Sequence, residues 1–307
     1  MPDRAAWREQ RIGFACAALV LFIWAGFILV SRAGATGSLS PWDLAALRHA
    51  VAFVVLVPFA AGGVLGSIPG YRVLALGVFA GLGFPLCAYV AFTMAPASHG
   101  AVLLPGALPF ATALVARLWL GERVGAEKAL SLGIVLAGIV LLAGGDFLAQ
   151  PGAWRGDLLF LAGTTSWAVF TLLVRRWGIT ATQATVAVGV VCAPLYLPVW
   201  LLFLPSRLGE AGWGEIAFQA FYQGGLAMVL ASLLYTRALV ALGPTRLAFF
   251  TAIVPALAAV AAWPVLGEPL GPGALLGVAV VSGGMLYGVL RGSGPPPLRV
   301  DAPSPRT

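Results

Sequence analysis

The chain has 307 residues, 60% apolar and only 9% charged, with a formal net charge of +7. Soluble domains are roughly a quarter charged, so a water-facing surface is excluded and the bilayer is the solvent. The basic residues sit in loops and at helix ends, without a contiguous stripe or aromatic-basic interleaving; this excludes a nucleic-acid partner and reads as membrane topology.

A membrane span needs about 20 apolar residues. The first is predicted over 12–31, after a short cytoplasmic segment 1–11. Arg4, Arg8 and Arg11 before it imitate a signal peptide, and Ala33-Gly34-Ala35 imitates a cleavage site. Its apolar run of about 20 residues exceeds the roughly 7–15 of a signal core, so it reads as a retained span. The second span is predicted over 41–62, followed by a turn at Gly66, Pro69 and Gly70.

From Val73 to Ala116 no residue is charged, which is too long for one helix and right for two. The break at Ala95-Pro96-Ala97-Ser98 separates spans over 71–94 and 98–119. A fifth span is predicted over 127–144, then a loop rich in Gly and Pro. Five more follow over 157–174, 181–204, 214–237, 244–265 and 271–290. Residues 292–307 hold five prolines and read as a disordered cytoplasmic tail. Cys16, Cys87 and Cys192 lie inside apolar runs without CxxC spacing and read as small core residues. No cofactor and no metal site is expected.

Ten spans put both termini on one side. With the termini inside, all but four of the 18 Lys and Arg fall inside; the exceptions are Arg32, Arg48, Arg155 and Arg207. That bias predicts a multi-pass protein of the plasma membrane (the bacterial inner membrane) with both ends cytoplasmic.

The two halves resemble each other. At an offset of 146, Tyr89 meets Tyr235, Pro109 meets Pro255, and Leu120-Gly121-Glu122 meets Leu266-Gly267-Glu268. At 143, Trp24-Ala25-x-Phe27-x-Leu29 meets Trp167-Ala168-x-Phe170-x-Leu172, and Arg32 meets Arg175. Each half, 12–145 and 156–290, holds five spans, and an odd number inverts the second copy. The charges follow the inversion, except at Arg32, which stays basic outside. Arg117, Arg123 and Lys128 correspond to Trp263, Pro269 and Ala274, while Gly100 corresponds to Arg246. The predicted fold is all-α, ten helices in an inverted 5+5 repeat, with a substrate site where the repeats meet.

This pattern resembles the EamA family of the drug/metabolite transporter superfamily. The residues that carry the likeness are Trp24 and Arg32, Pro41 and Arg48, Ala88-Tyr89-x-Ala91-Phe92, Pro109 and Leu120-Gly121-Glu122. The second half adds Tyr235-Thr236-x-Ala238, Pro255 and Leu266-Gly267-Glu268. The resemblance covers about residues 12–290. It implies a central cavity and transport, mostly export, of small metabolites.

Six residues are candidates for the substrate path: Trp24, Arg48, Tyr89, His99, Trp167 and Tyr235. Arg48 lies about two turns into its span, roughly 9 Å below the mouth. It either faces the cavity and holds an anionic group or a carboxylate, or snorkels outward toward Asp43. His99, at the outer end, either couples protons to transport or is a hydrogen-bonded turn residue. Asp157 and Glu268, also at outer ends, read as loop or cap residues. Trp24 and Trp167 sit mid-span, away from the interfacial belt. With Tyr89 and Tyr235, they either grip flat substrates or pack helices. Pro109 and Pro255 each remove a backbone donor and predict kinks. Gly133/Ala137, Gly273/Gly277 and Gly284/Gly288 form small-residue faces, for internal packing or for a homodimer.

No nucleotide-binding loop is present, so a transporter here runs on a gradient or as a facilitator. An enzyme would need a polar constellation, and the chain has two histidines and no paired acids in its spans. The function predicted is a secondary transporter, an exporter of small organic metabolites working by alternating access. An accessory or sensory membrane subunit is the alternative.

Overall fold

A computed structural model describes residues 4–66, 68–121, 124–146 and 152–291. Glu122, Arg123, most of the loop expected over 145–155, and the segment 292–307 lie outside the described residues. Among the described residues every regular element is a helix. In a lipid solvent a helix satisfies its backbone donors and acceptors internally.

The helices are α1 (Arg4–Thr36), α2 (Pro41–Ala61), α3 (Gly70–Met94), α4 (Ala97–Trp119) and α5 (Ala126–Asp146). Then come α6 (Ala153–Trp177), α7 (Ala181–Phe203), α8 (Trp213–Leu242), α9 (Pro244–Leu266) and α10 (Pro272–Arg291). Nine helices, among the described residues, are long and apolar enough to cross a membrane. α5 is a further helix that packs along α10; its last side chains lie outside the described residues.

Several helix ends follow local chemistry. Ser40 and Asp43 form a capping box at the start of α2, as Thr180 and Gln183 do for α7. Gly121 and Gly267 end their helices with φ of 66° and 69°, the left-handed conformation in which a side chain would clash. That need accounts for the recurring glycine of the Leu-Gly-Glu motif.

Three features differ from the sequence expectation. α1 runs five residues beyond 31, so Ala33-Gly34-Ala35 is helical; Gly34 and Ala35 pack inward, with Gln219 and Leu44 beside Gly34, while Ala33 is exposed. α3 and α8 are not uniform α-helices, since each contains a π-helical stretch, Gly77–Gly83 and Phe221–Leu230. Apolar periodicity does not encode such widened turns. α4 is interrupted at Ala107, between Pro105 and Pro109, whereas α9 continues as one helix through Pro255. In α4 two prolines one turn apart remove neighbouring donors; in α9 the next proline, Pro264, lies more than two turns away.

Small residues set the close contacts. A Cβ on Gly138 or Gly277 would come within 2.8 Å of the facing backbone, so α5 and α10 touch main chain to main chain. α1 packs on α8 and α9, and α6 packs correspondingly on α3 and α4. α2 lies against α7 and against the π stretch of α8. Apolar side chains such as Leu201 and Phe203 point outward, 74% and 78% exposed, as a lipid-facing surface requires.

Candidate functional site

The bundle interior is not wholly apolar. Ser31 on α1, Arg48 and His49 on α2, Tyr89 on α3, and Gln219 and Gln223 on α8 are all buried. Polar groups in such a place need partners, and most find them here. The Gln223 amide donates to Ser31 Oγ and to Gln219 Oε1, both at 3.2 Å. Gln223 Oε1 accepts from the Tyr89 hydroxyl at 3.0 Å. Gln219 Nε2 in turn donates to the Val30 carbonyl at 3.1 Å. The network links three helices, and its members are shut off from solvent.

Arg48 stands at its edge. Nη1 donates to the main-chain carbonyl of Gln223 at 3.1 Å, and the guanidinium lies over the Phe27 ring at 5.7 Å. It does not reach Asp43. That carboxylate accepts five hydrogen bonds, from Ser40 N and Oγ, Trp200 Nε1, Ser206 Oγ and Arg207 N. The carbonyl that holds Arg48 belongs to the π stretch of α8. In the other π stretch the Gly77 carbonyl accepts from Cys192 Sγ at 3.5 Å. Gly77 and Gln223 stand at the 146 offset.

Aromatic rings continue from Arg48. Phe27 stacks on Phe84 at 6.0 Å, Phe84 meets Trp167 at 5.0 Å, and Tyr89 lies 6.2 Å from Phe27. Of the six sequence candidates, Arg48, Tyr89 and Trp167 are thus joined by one run of rings. Trp24 and Tyr235 form a separate stacked pair, 5.4 Å apart at 25°.

His99 is elsewhere, at the end of the bundle where α1 meets α2. Its Nδ1 lies 2.7 Å from Asp157 Oδ1. At that same end Arg32 Nε donates to Glu268 Oε1 at 2.7 Å, and Arg32 Nη1 donates to the Phe92 carbonyl. Glu268 Oε2 accepts from the Ala97 amide at 2.7 Å, the first turn of α4. Glu268 is therefore a cap and an ion-pair partner at once. Ser38 donates to Glu215 nearby. At the opposite end Arg237 pairs with Glu9, and the Arg72 guanidinium lies 5.3 Å over the Trp177 ring.

Sequence reasoning missed Gln219, Gln223, His49, Phe27 and Phe84. A signal for the glutamines was present: two amides four residues apart inside an apolar span share one helix face, and membrane interiors tolerate such groups only when they are paired.

The fold and its buried polar centre define a multi-pass helical membrane protein. The pattern of the EamA-like transporter family matches residues 11–144 and 154–289. The chain belongs to the EamA-like transporter family and is a membrane transporter in the general sense. It is 25% identical over 234 residues to "Uncharacterized transporter YyaM" of Bacillus subtilis (strain 168), covering 72% of each chain. It is 34% identical over 186 residues to "Uncharacterized protein PA1977" of Pseudomonas aeruginosa, covering 59% of this chain and 61% of that one. A crystal structure of a protein, 20% identical, superposes with a TM-score of 0.60 over 92% of this chain and 96% of its own; it shares the fold.

Proposed function

We propose that the chain is a secondary transporter, an exporter of small organic metabolites across the bacterial plasma membrane, working by alternating access. On this reading it has ten spans, with α5 as the fifth, in two inverted halves over 12–145 and 156–290. Both termini are cytoplasmic, and the Glu268 end of the bundle faces out.

The observation that carries the reading is the buried polar centre around Arg48, set between helices of both halves. Inverted-repeat transporters keep their substrate site at that interface, near the midplane. Further support comes from matched positions in the two halves: π stretches at 77–83 and 221–230, and left-handed glycine caps at Gly121 and Gly267. The ion pairs and caps at the Glu268 end bar the outer mouth in this state. Arg48, Tyr89 and Trp167 are read as substrate-path residues, Trp24 and Tyr235 as a helix-packing stack beside it, and His99 as part of the outer closure.

The test compares extracellular metabolites from cells expressing the intact chain and an Arg48→Ala/Trp167→Ala variant inserted at equal level. A compound enriched outside only with the intact chain supports export. Equal profiles favour import or an accessory role, and uptake into proteoliposomes separates these. A periplasm-active reporter fused after Thr307 tests the topology; activity there refutes cytoplasmic termini.

A further inference from the structure

Arg48 is a cation inside an apolar bundle, 6% exposed, and among the described residues no carboxylate lies within ion-pair distance of it. Its guanidinium carries five donors. One is spent on the Gln223 carbonyl, the Tyr89 hydroxyl is also within reach of the guanidinium, and Nε, sealed from solvent, has no acceptor. The next residue, His49, is fully buried with both ring nitrogens unpartnered. A buried cation left this poorly matched is costly to fold around, and an arriving anion offsets that cost.

Acids are the other half of the argument. Asp43 is the one fully buried acid among the described residues, and its five donors leave it nothing to offer. Glu268 and Asp157 are held by Arg32, the Ala97 amide and His99. A substrate ammonium would find no carboxylate near Arg48. Beside the cation, flat apolar surface is plentiful: Phe27, Phe84 and Trp167 run from it in contact.

We infer that the site takes a small organic monoanion, a carboxylate with a flat apolar body and no ammonium group. Its carboxylate replaces the Gln223 carbonyl at Arg48 with a paired, two-pronged contact. The body lies along Phe27, Phe84 and Trp167. The inference rests on the transporter reading for the route, but not for the binding.

The experiment uses the purified full-length chain with four probes: benzoate, the non-permeant benzenesulfonate, phenylalanine and benzyltrimethylammonium. Binding is read as a thermal shift, and movement as counterflow in proteoliposomes. The expected result is binding and counterflow of the two anions only, at least tenfold weaker in Arg48→Gln and partly kept in Arg48→Lys. Trp167→Ala should weaken benzoate several-fold more than acetate, which keeps the inference testable even where Arg48→Gln fails to fold. Preference for phenylalanine or the cation, undiminished in Arg48→Lys and Arg48→Gln, overturns the inference and leaves the transporter standing. Anion binding without counterflow upholds the site and counts against transport. No binding of either anion to folded protein overturns the inference.

Discussion

Arg32 and Glu268 stand 236 positions apart in the chain and meet at 2.7 Å. The second oxygen of Glu268 holds the first turn of α4, so one carboxylate ties α1, α4 and the α9–α10 turn together. Breaking it should loosen that end of the bundle. Glu268→Gln, in a background with Cys16, Cys87 and Cys192 replaced by Ala, should speed maleimide labelling of Ser31→Cys several-fold in detergent. An unchanged rate would mean that other contacts keep the end shut.

His99 and Asp157 form a second tie at the same end. The two residues are in direct contact, so their substitutions should not add. His99→Gln, Asp157→Asn and the double variant are expected to give a coupling of about 0.5–3 kcal/mol in thermal or denaturant unfolding. Additive losses would detach the two side chains functionally.

Inside the polar centre, Tyr89→Phe leaves the buried Gln223 Oε1 without its donor. Such a loss costs about 1–3 kcal/mol. At roughly 2 °C per kcal/mol or more for a chain of this size, the melting temperature should fall by a few degrees. Gln223→Leu removes the amide's contacts to Ser31, Gln219 and Tyr89 together and should fall further. Differential scanning fluorimetry on both variants checks the order.

The glycines of α5 and α10 divide into two classes. Gly138 and Gly277 face backbone within 2.8 Å of an added Cβ, whereas Gly133 meets nothing within 4 Å. Gly138→Ala and Gly277→Ala should each destabilise by about 1–3 kcal/mol through overpacking, and Gly133→Ala should be neutral in that assay. Gly133→Leu also tests the homodimer: an unchanged mass by light scattering would exclude that face as its interface.

Helix positions were legible in the sequence because apolar length is the one thing lipid demands of every span. The Gly121 and Gly267 caps were legible for a similar reason, since a left-handed turn selects its residue. The site was legible only in part. Arg48 stands out because a charge in a span is rare, yet its partner is a main-chain carbonyl, which has no residue identity to read. Asp43 looked available for Arg48 at five residues' distance, but three of its five donors come from Trp200, Ser206 and Arg207, far along the chain. His99 could be placed at the helix start, not at its contact with Asp157, because the helix rotation that joins them depends on packing.

The π stretches have a historical consequence. A π turn spaces its hydrogen bonds at five residues instead of four, which is how a helix absorbs one added residue without losing its ends. α3 and α8 carry such turns at matching places. On the inverted-repeat reading proposed above, the simplest lineage has the extra residue inserted once, into a five-helix ancestor, before that gene was doubled. The carbonyl that now faces Arg48 would then be older than the two-fold arrangement, inherited twice, and taken by the Cys192 thiol in the first copy and by a guanidinium in the second.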